Sequence, residues 1–224
     1  MYATAISYRT ADQLNTAMAG VYKHMGLAVV TSMLVSYLVA GSQSLMALLF
    51  GTALKWVVIF APLVAVFAIG FTLHKVSKPV AFTLLHGFAA LMGLSMAAIF
   101  KIYTSASIVT AFMGAAVLFG TMSFYGYFTR KSLDSLGKWM FVGLIAIVIA
   151  SIINIFIGST VAQMTISALA IVIFMGLTAY DTQRIREELS VSESGNAEVS
   201  GALSLYLNFI NLFTSLLQLF GNKE

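Results

Sequence analysis

Seven long apolar runs, each bounded by polar or charged residues, constrain this chain more than any other feature. They cover Val21–Ala40, Trp56–Leu73, Pro79–Phe100, Ser105–Phe128, Trp139–Ile157, Val161–Tyr180 and Ala202–Phe220. A helix needs about 20 apolar residues to cross roughly 30 Å of hydrocarbon, and every run is close to that length. The alternation of an outer-membrane barrel, about 10 residues per strand, is absent. The reading is therefore all-α, a polytopic membrane protein of seven transmembrane helices that satisfy their backbone polar groups internally. The first twenty residues carry Arg9, Asp12 and Gln13 and are too polar for a cleaved signal. They are expected as a cytoplasmic tail (1–20), followed by a single membrane domain (21–220) and a short C-terminal tail (221–224).

Composition closes off the alternatives. Only 9% of the 224 residues are charged, against about 25% in soluble domains, so a water-soluble enzyme, a disordered chain and a nucleic-acid binder are excluded. The net charge of +4 is too small for a phosphate-holding patch. Without cysteine there is no disulfide, thiolate nucleophile, iron–sulfur cluster or cysteine zinc site. Orientation follows from loop charge. With the N-terminus inside, nine Lys and Arg residues fall on the cytoplasmic side and three (Lys55, Lys101, Lys223) on the other, which predicts N-in and C-out. The bilayer is then the first partner.

Small residues recur every four positions in three spans: Ala28, Ser32, Ser36 and Ala40; Ala89, Gly93 and Ala97; Ala146, Ala150, Asn154 and Gly158. Such stripes let helix backbones approach closely in lipid, and a packed bundle explains all three. Pro62 is expected to kink the second span. The last span carries a different stripe: Ser204, Asn208, Asn211, Ser215 and Gln218, spaced four, three, four, three. Polar groups on an otherwise apolar helix face other helices or water, so this helix belongs in the centre. Interhelical glue and the lining of a pathway both fit.

Asp181 is the one carboxylate adjoining a long apolar run. Arg184, three residues on, shares its helical face, so a simple interfacial pair is one reading. The other is a proton- or ion-responsive group, because ionisable side chains at membrane depth mark pathways. If the last two spans form an antiparallel hairpin turning near Gly195, within the acidic connection Asp181–Gly201, then Asp181 lies fourteen residues before the turn and Asn208 thirteen after it. The two should meet at one height. His74, Lys75 and Lys78 lie on the same cytoplasmic side as candidate counter-charges, with Arg184 the basic neighbour on the acid's own helix.

The stretch Gly176-Leu-Thr-Ala-Tyr-Asp-Thr-Gln183, followed by Gly201-Ala-Leu-Ser-Leu-Tyr-Leu-Asn-Phe-Ile-Asn-Leu-Phe213, resembles the signature of the Bax inhibitor-motif family, the bacterial branch most closely. Ser95–Lys101, Ile102-Tyr-Thr-Ser-Ala-Ser107 and Met122-Ser-Phe-Tyr-Gly-Tyr127 extend the resemblance along the chain. It implies seven helices with the last one central, a bacterial cytoplasmic (inner) membrane as the location, and a pH-sensitive calcium leak. The sensor it implies is a pair of aspartates, one after the sixth span and one in the seventh, latched by a basic residue from the second. Carried over by position, the first is Asp181, the second falls on Asn208, and the latch falls on Lys75 or Lys78. Asn208 departs from the pattern. Two carboxylates in contact titrate as a unit, whereas an amide adds no like charge and donates to the ionised form. Proton-controlled gating should therefore move to lower pH or weaken.

Other classes are set against this one. A non-conducting regulator that binds another membrane protein is the main competitor, since some bacterial relatives are associated with control of a membrane-anchored protease. Its handles would be the polar N-terminal tail and the acidic stretch Glu187–Glu198. No enzyme is expected. An intramembrane aspartyl protease needs a second acid within a span, Gly93-Leu-Ser95-Met-Ala97 lacks the second glycine of a serine elbow, and a retinal protein needs a lysine in its last span. His24, His74 and His86 lack metal-ligand spacing, with His86 expected as a hydrogen-bonded core residue. No cofactor or resident metal is expected. Calcium wants six to eight oxygens, so one carboxylate offers only transient contact to a passing ion.

Overall fold

The computed structural model describes residues 9–191 and 195–223, apart from the side chain of His74. The described residues are helical throughout, with one isolated bridge, between Tyr103 and Lys223, and no strand. In chain order the helices are α1 (Ala11–Ala40), α2 (Gln43–Phe50), α3 (Leu54–Thr72), a single 3-10 turn (Leu73–Lys75), α4 (Lys78–Met96), α5 (Ile99–Ile102), α6 (Ser105–Phe128), α7 (Asp134–Ile157), α8 (Thr160–Val191) and α9 (Gly195–Phe220). Seven helical segments are long and apolar enough to cross a membrane: α1, α3, α4 with α5, α6, α7, α8 and α9. These match the seven expected spans one for one. The last is also the most buried, with 56% of its membrane-length window covered against 11% in α7, as a central helix requires.

Several boundaries differ from the expectation, each for a local reason. The tail expected over 1–20 is already helical from Ala11. Thr10 and Gln13 form a capping box, in which the Thr10 side chain accepts from the Gln13 N–H and the Gln13 side chain accepts from the Thr10 N–H. The connection after the first span contains α2, started by Ser42, whose hydroxyl accepts from the Leu45 N–H. Pro62 sits inside α3 without ending it. The largest difference concerns α8, which runs past Tyr180 to Val191, so Asp181 lies within a continuous helix and not in a connection. Arg, Glu and Leu are good helix formers, and Ile185 and Leu189 are buried there. The turn expected at Ser192–Gly195 falls largely on residues 192–194, outside the described residues, as does Glu193; the next helix starts at Gly195.

The chain divides into two compact units. The first takes the described residues up to Met96 together with Arg184–Ser204, and the second takes Ala97–Gln183 and Leu205 onward. In the first unit the small-residue stripes of α1 and α4 face each other. The Ser32 hydroxyl donates to the Ala89 carbonyl at 2.8 Å, and a Cβ on Gly93 would strike the Ser32 backbone. Ser95 donates to the carbonyl of Val58, so the Gly93–Ala97 stretch is a packing surface. His86 is hydrogen-bonded through Nδ1 to the Thr31 hydroxyl at 2.9 Å, as expected of a core histidine.

Candidate functional site

The second unit holds the site. Asp181 projects from α8 and Asn208 from α9, and the Asn208 Nδ2 donates to Asp181 Oδ2 at 2.7 Å. Both are buried, 8% and 4% exposed. The hairpin counting therefore brings together the pair that it should. An acid kept out of water needs donors, and an amide aimed at its oxygen supplies one.

The residues on either side of Asp181 fix how it is presented. Successive helical residues point about 100° apart, so one turn of α8 reaches several neighbours at once. Ala179 brings its backbone against Gly126 of α6, where any Cβ would collide with it. Tyr180 lays its ring over Gly137 of α7, which likewise leaves no room for a side chain. The Thr182 hydroxyl donates to Ser123 of α6 at 3.4 Å. Gln183 clamps the connection between α6 and α7, accepting from the Leu133 N–H at 2.8 Å and donating to the Lys131 carbonyl at 3.0 Å. With Gly126, Gly137, Ser123 and Gln183 holding the other faces, Asp181 is turned toward α9. The sequence reading did not single these positions out for the site. Ser123, Gly126 and Gln183 nonetheless lie within the stretches that carry the family resemblance, whereas Gly137 lies just ahead of the fifth span and carried no signal.

The polar stripe of the last helix divides by where its hydrogen bonds go. Asn208 reaches α8. Asn211 turns back and donates to the Leu207 carbonyl of its own helix at 2.8 Å. Ser215 is buried. Gln218, near the end of α9, accepts from Gln163 Nε2 at 2.6 Å and from the Ser167 hydroxyl at 3.0 Å, both on α8. Next to Asn208, Phe209 packs edge-on against Phe112 and Phe119.

The basic candidates lie in the first unit. Lys78 forms an ion pair with Glu198 at 2.9 Å, and Lys75 is exposed at the end of the 3-10 turn. Arg184 is exposed and donates to the Ser204 hydroxyl at 3.3 Å, so the stripe's first member holds a cation. Among the described acids of the stretch Glu187–Glu198, Glu187 and Glu188 are on the last turns of α8, and Glu198 is engaged with Lys78 on α4. Among the described residues no three His, Asp or Glu side chains are grouped as a metal would require.

Set beside known proteins, residues 14–224 match the family described as "Inhibitor of apoptosis-promoting Bax1". The chain is similar to YbhL, an inner membrane protein of Escherichia coli K12, at 37% identity over 94% of this chain and 93% of YbhL. It is similar to YrjE of Lactococcus lactis at 37% identity, covering 94% and 92% of the two chains. A membrane protein of Streptococcus pyogenes shares 35% identity over 94% of each chain.

Proposed function

The chain belongs to the Bax inhibitor-motif family, and on that premise we propose that it is a pH-sensitive cation leak, with calcium as cargo, gated where Asp181 meets Asn208. It would lie in a bacterial inner membrane with its N-terminus in the cytoplasm, which puts the gate toward the cytoplasmic face. The observation that carries this reading is the 2.7 Å bond between a buried acid and the central helix.

The chemistry follows from the pair. When ionised, Asp181 presents four lone-pair directions and no donor, and Asn208 answers one of them with an N–H. When protonated, it becomes partly a donor itself, and the charge that made the amide contact strong is gone. The seam between α8 and α9 therefore has two energies, one for each protonation state, and the difference between them biases which arrangement is favoured. A passing cation meets one carboxylate and the neutral oxygens of the stripe, enough for transient contact and too few for a resident calcium. No reaction is assigned to the site: chemistry shared between two carboxylates would need a second acid, and Asn208 stands in its place.

The test is calcium flux into liposomes that contain only this protein, measured across a pH series. Wild type should show flux that depends on pH, and Asp181→Ala should lose that dependence. A protein that passes no calcium at any pH would instead fit the regulator that binds another membrane protein.

A further inference from the structure

The far end of the same helix pair carries a second polar cluster that contains no charge. Gln218 Oε1 on α9 accepts from two α8 donors, Gln163 Nε2 at 2.6 Å and Ser167 Oγ at 3.0 Å. Gln163 Nε2 also lies 3.4 Å from Ser167 Oγ, and its own Oε1 accepts from Asn154 Nδ2 of α7 at 3.4 Å. Asn154 in turn is fixed by the connection between α7 and α8: its Oδ1 accepts from the Ser159 N–H at 3.1 Å, and its Nδ2 donates to the Ser159 carbonyl. The cluster grades inward, from exposed Gln218 through half-buried Gln163 to Ser167 and Asn154, which are 1% and 7% exposed.

Its place in the fold gives it meaning. From Asp181 to Ser167 is fourteen residues of α8, and from Asn208 to Gln218 ten of α9, which puts the two polar levels roughly 15–21 Å apart along the helices. On the α8 stripe between them stand Leu177, Phe174 and Ala170, and on the α9 stripe Leu212 and Ser215, all buried. The α8 side of the seam is thus apolar between the two polar levels, while on α9 Ser215 stands among apolar neighbours and Asn211 is turned back on its own helix. The last turn of α9 is also fastened on its other side. Past Phe220 the chain folds back on the start of α6, where the Thr104 N–H donates to the Asn222 carbonyl at 3.0 Å and the Asn222 N–H donates to Ser107 Oγ at 2.9 Å. Gly221 makes that strap feasible, since a Cβ there would strike the Tyr103 ring. At this end backbone groups of Asn222 tie the chain after α9 to the start of α6, whereas side-chain amides and a hydroxyl tie α9 to α8.

We propose that Gln163, Ser167 and Gln218, braced by Asn154, form a second, uncharged latch that closes the end of the pathway opposite Asp181. The cation meets neutral oxygens there once the latch parts. This rests on the leak reading above. The division of labour follows from the groups themselves. Amides and hydroxyls do not titrate in the physiological range, so this latch governs how much flows and Asp181 governs at which pH.

The experiment is calcium flux across a pH series in liposomes of the full chain, comparing wild type with Gln163→Leu, Gln218→Leu and the double variant. Ser167→Ala serves as a near-isosteric check, and thermal melting of each protein in detergent is measured alongside. Flux at the pH where wild type is least active should rise about three- to tenfold in either single variant, the scale of one interhelical hydrogen bond in a membrane. The double variant should rise no further than Gln218→Leu alone, because that change already removes both of the bonds that Gln218 accepts from α8. The pH midpoint should stay where it is. PH-dependent wild-type flux that the latch variants leave unchanged, or lower in step with their melting temperatures, would overturn the latch while leaving the Asp181 reading intact. Wild-type protein that passes no calcium would overturn both.

Discussion

The two ends of the α8–α9 seam solve the same problem with different chemistry. At one end an ionisable oxygen of Asp181 takes a hydrogen bond from Asn208; at the other the amide oxygen of Gln218 takes two from Gln163 and Ser167. Both contacts keep polar atoms satisfied in a low-dielectric setting, and as packing they are interchangeable. They differ in what can change them. A proton alters the first and leaves the second untouched. Asn211, lying between them, bonds back to its own helix and joins neither. Polarity along a helix is therefore no guide to function until the destination of each bond is known.

The comparison can be sharpened by giving the acidic end a second charge. Asn208→Asp places two carboxylates at hydrogen-bond distance, where both cannot ionise easily, and should move the midpoint of pH-dependent flux upward by about one unit. An unmoved midpoint in reconstituted vesicles would break the assignment of Asp181 and Asn208 as the sensing pair. Next in size, Gln183→Leu should cost about 1–3 kcal/mol of stability by leaving the buried Leu133 N–H without its acceptor. Denaturation of the purified protein measures that cost, and a loss well below it would show that the clamp on the α6–α7 connection is dispensable. The smallest effect belongs to the other unit. Ser32→Ala removes one hydroxyl bond between α1 and α4 and should cost about 0.6 kcal/mol with no change in the pH profile of flux. A shifted profile there would mean that proton sensing is not confined to the second unit.

Much of this was legible before any coordinates. Lipid demands about 20 apolar residues per crossing, so the seven spans could be read by length alone. The stripes Ala28–Ala40 and Ala89–Ala97 announced a close helix contact, and Ser32 against Ala89 and Gly93 is that contact. Counting residues from a hairpin turn placed Asp181 level with Asn208 because an antiparallel pair has only one free parameter. Helix ends were harder. Hydropathy reports where lipid stops, not where the helix stops, and α8 continues through Gln183 and Arg184 to Val191. The capping box at Thr10 and Gln13 was present as a pattern, yet a polar segment ahead of a span reads first as a tail. The basic candidates were the least legible. Lys78 chooses Glu198 from several acids, a choice made by tertiary approach that spacing along the chain does not encode. The same holds for Gln163 and Gln183, each an ordinary polar residue until its partner is known.

The most direct test replaces Asp181 by a side chain of the same shape that cannot bind a proton in this range. Calcium flux from pH 5 to pH 8 should be measured in liposomes for wild type and Asp181→Asn side by side. The account predicts a pH-dependent curve for wild type and a flat one for the variant. Two curves with the same midpoint and amplitude would contradict it.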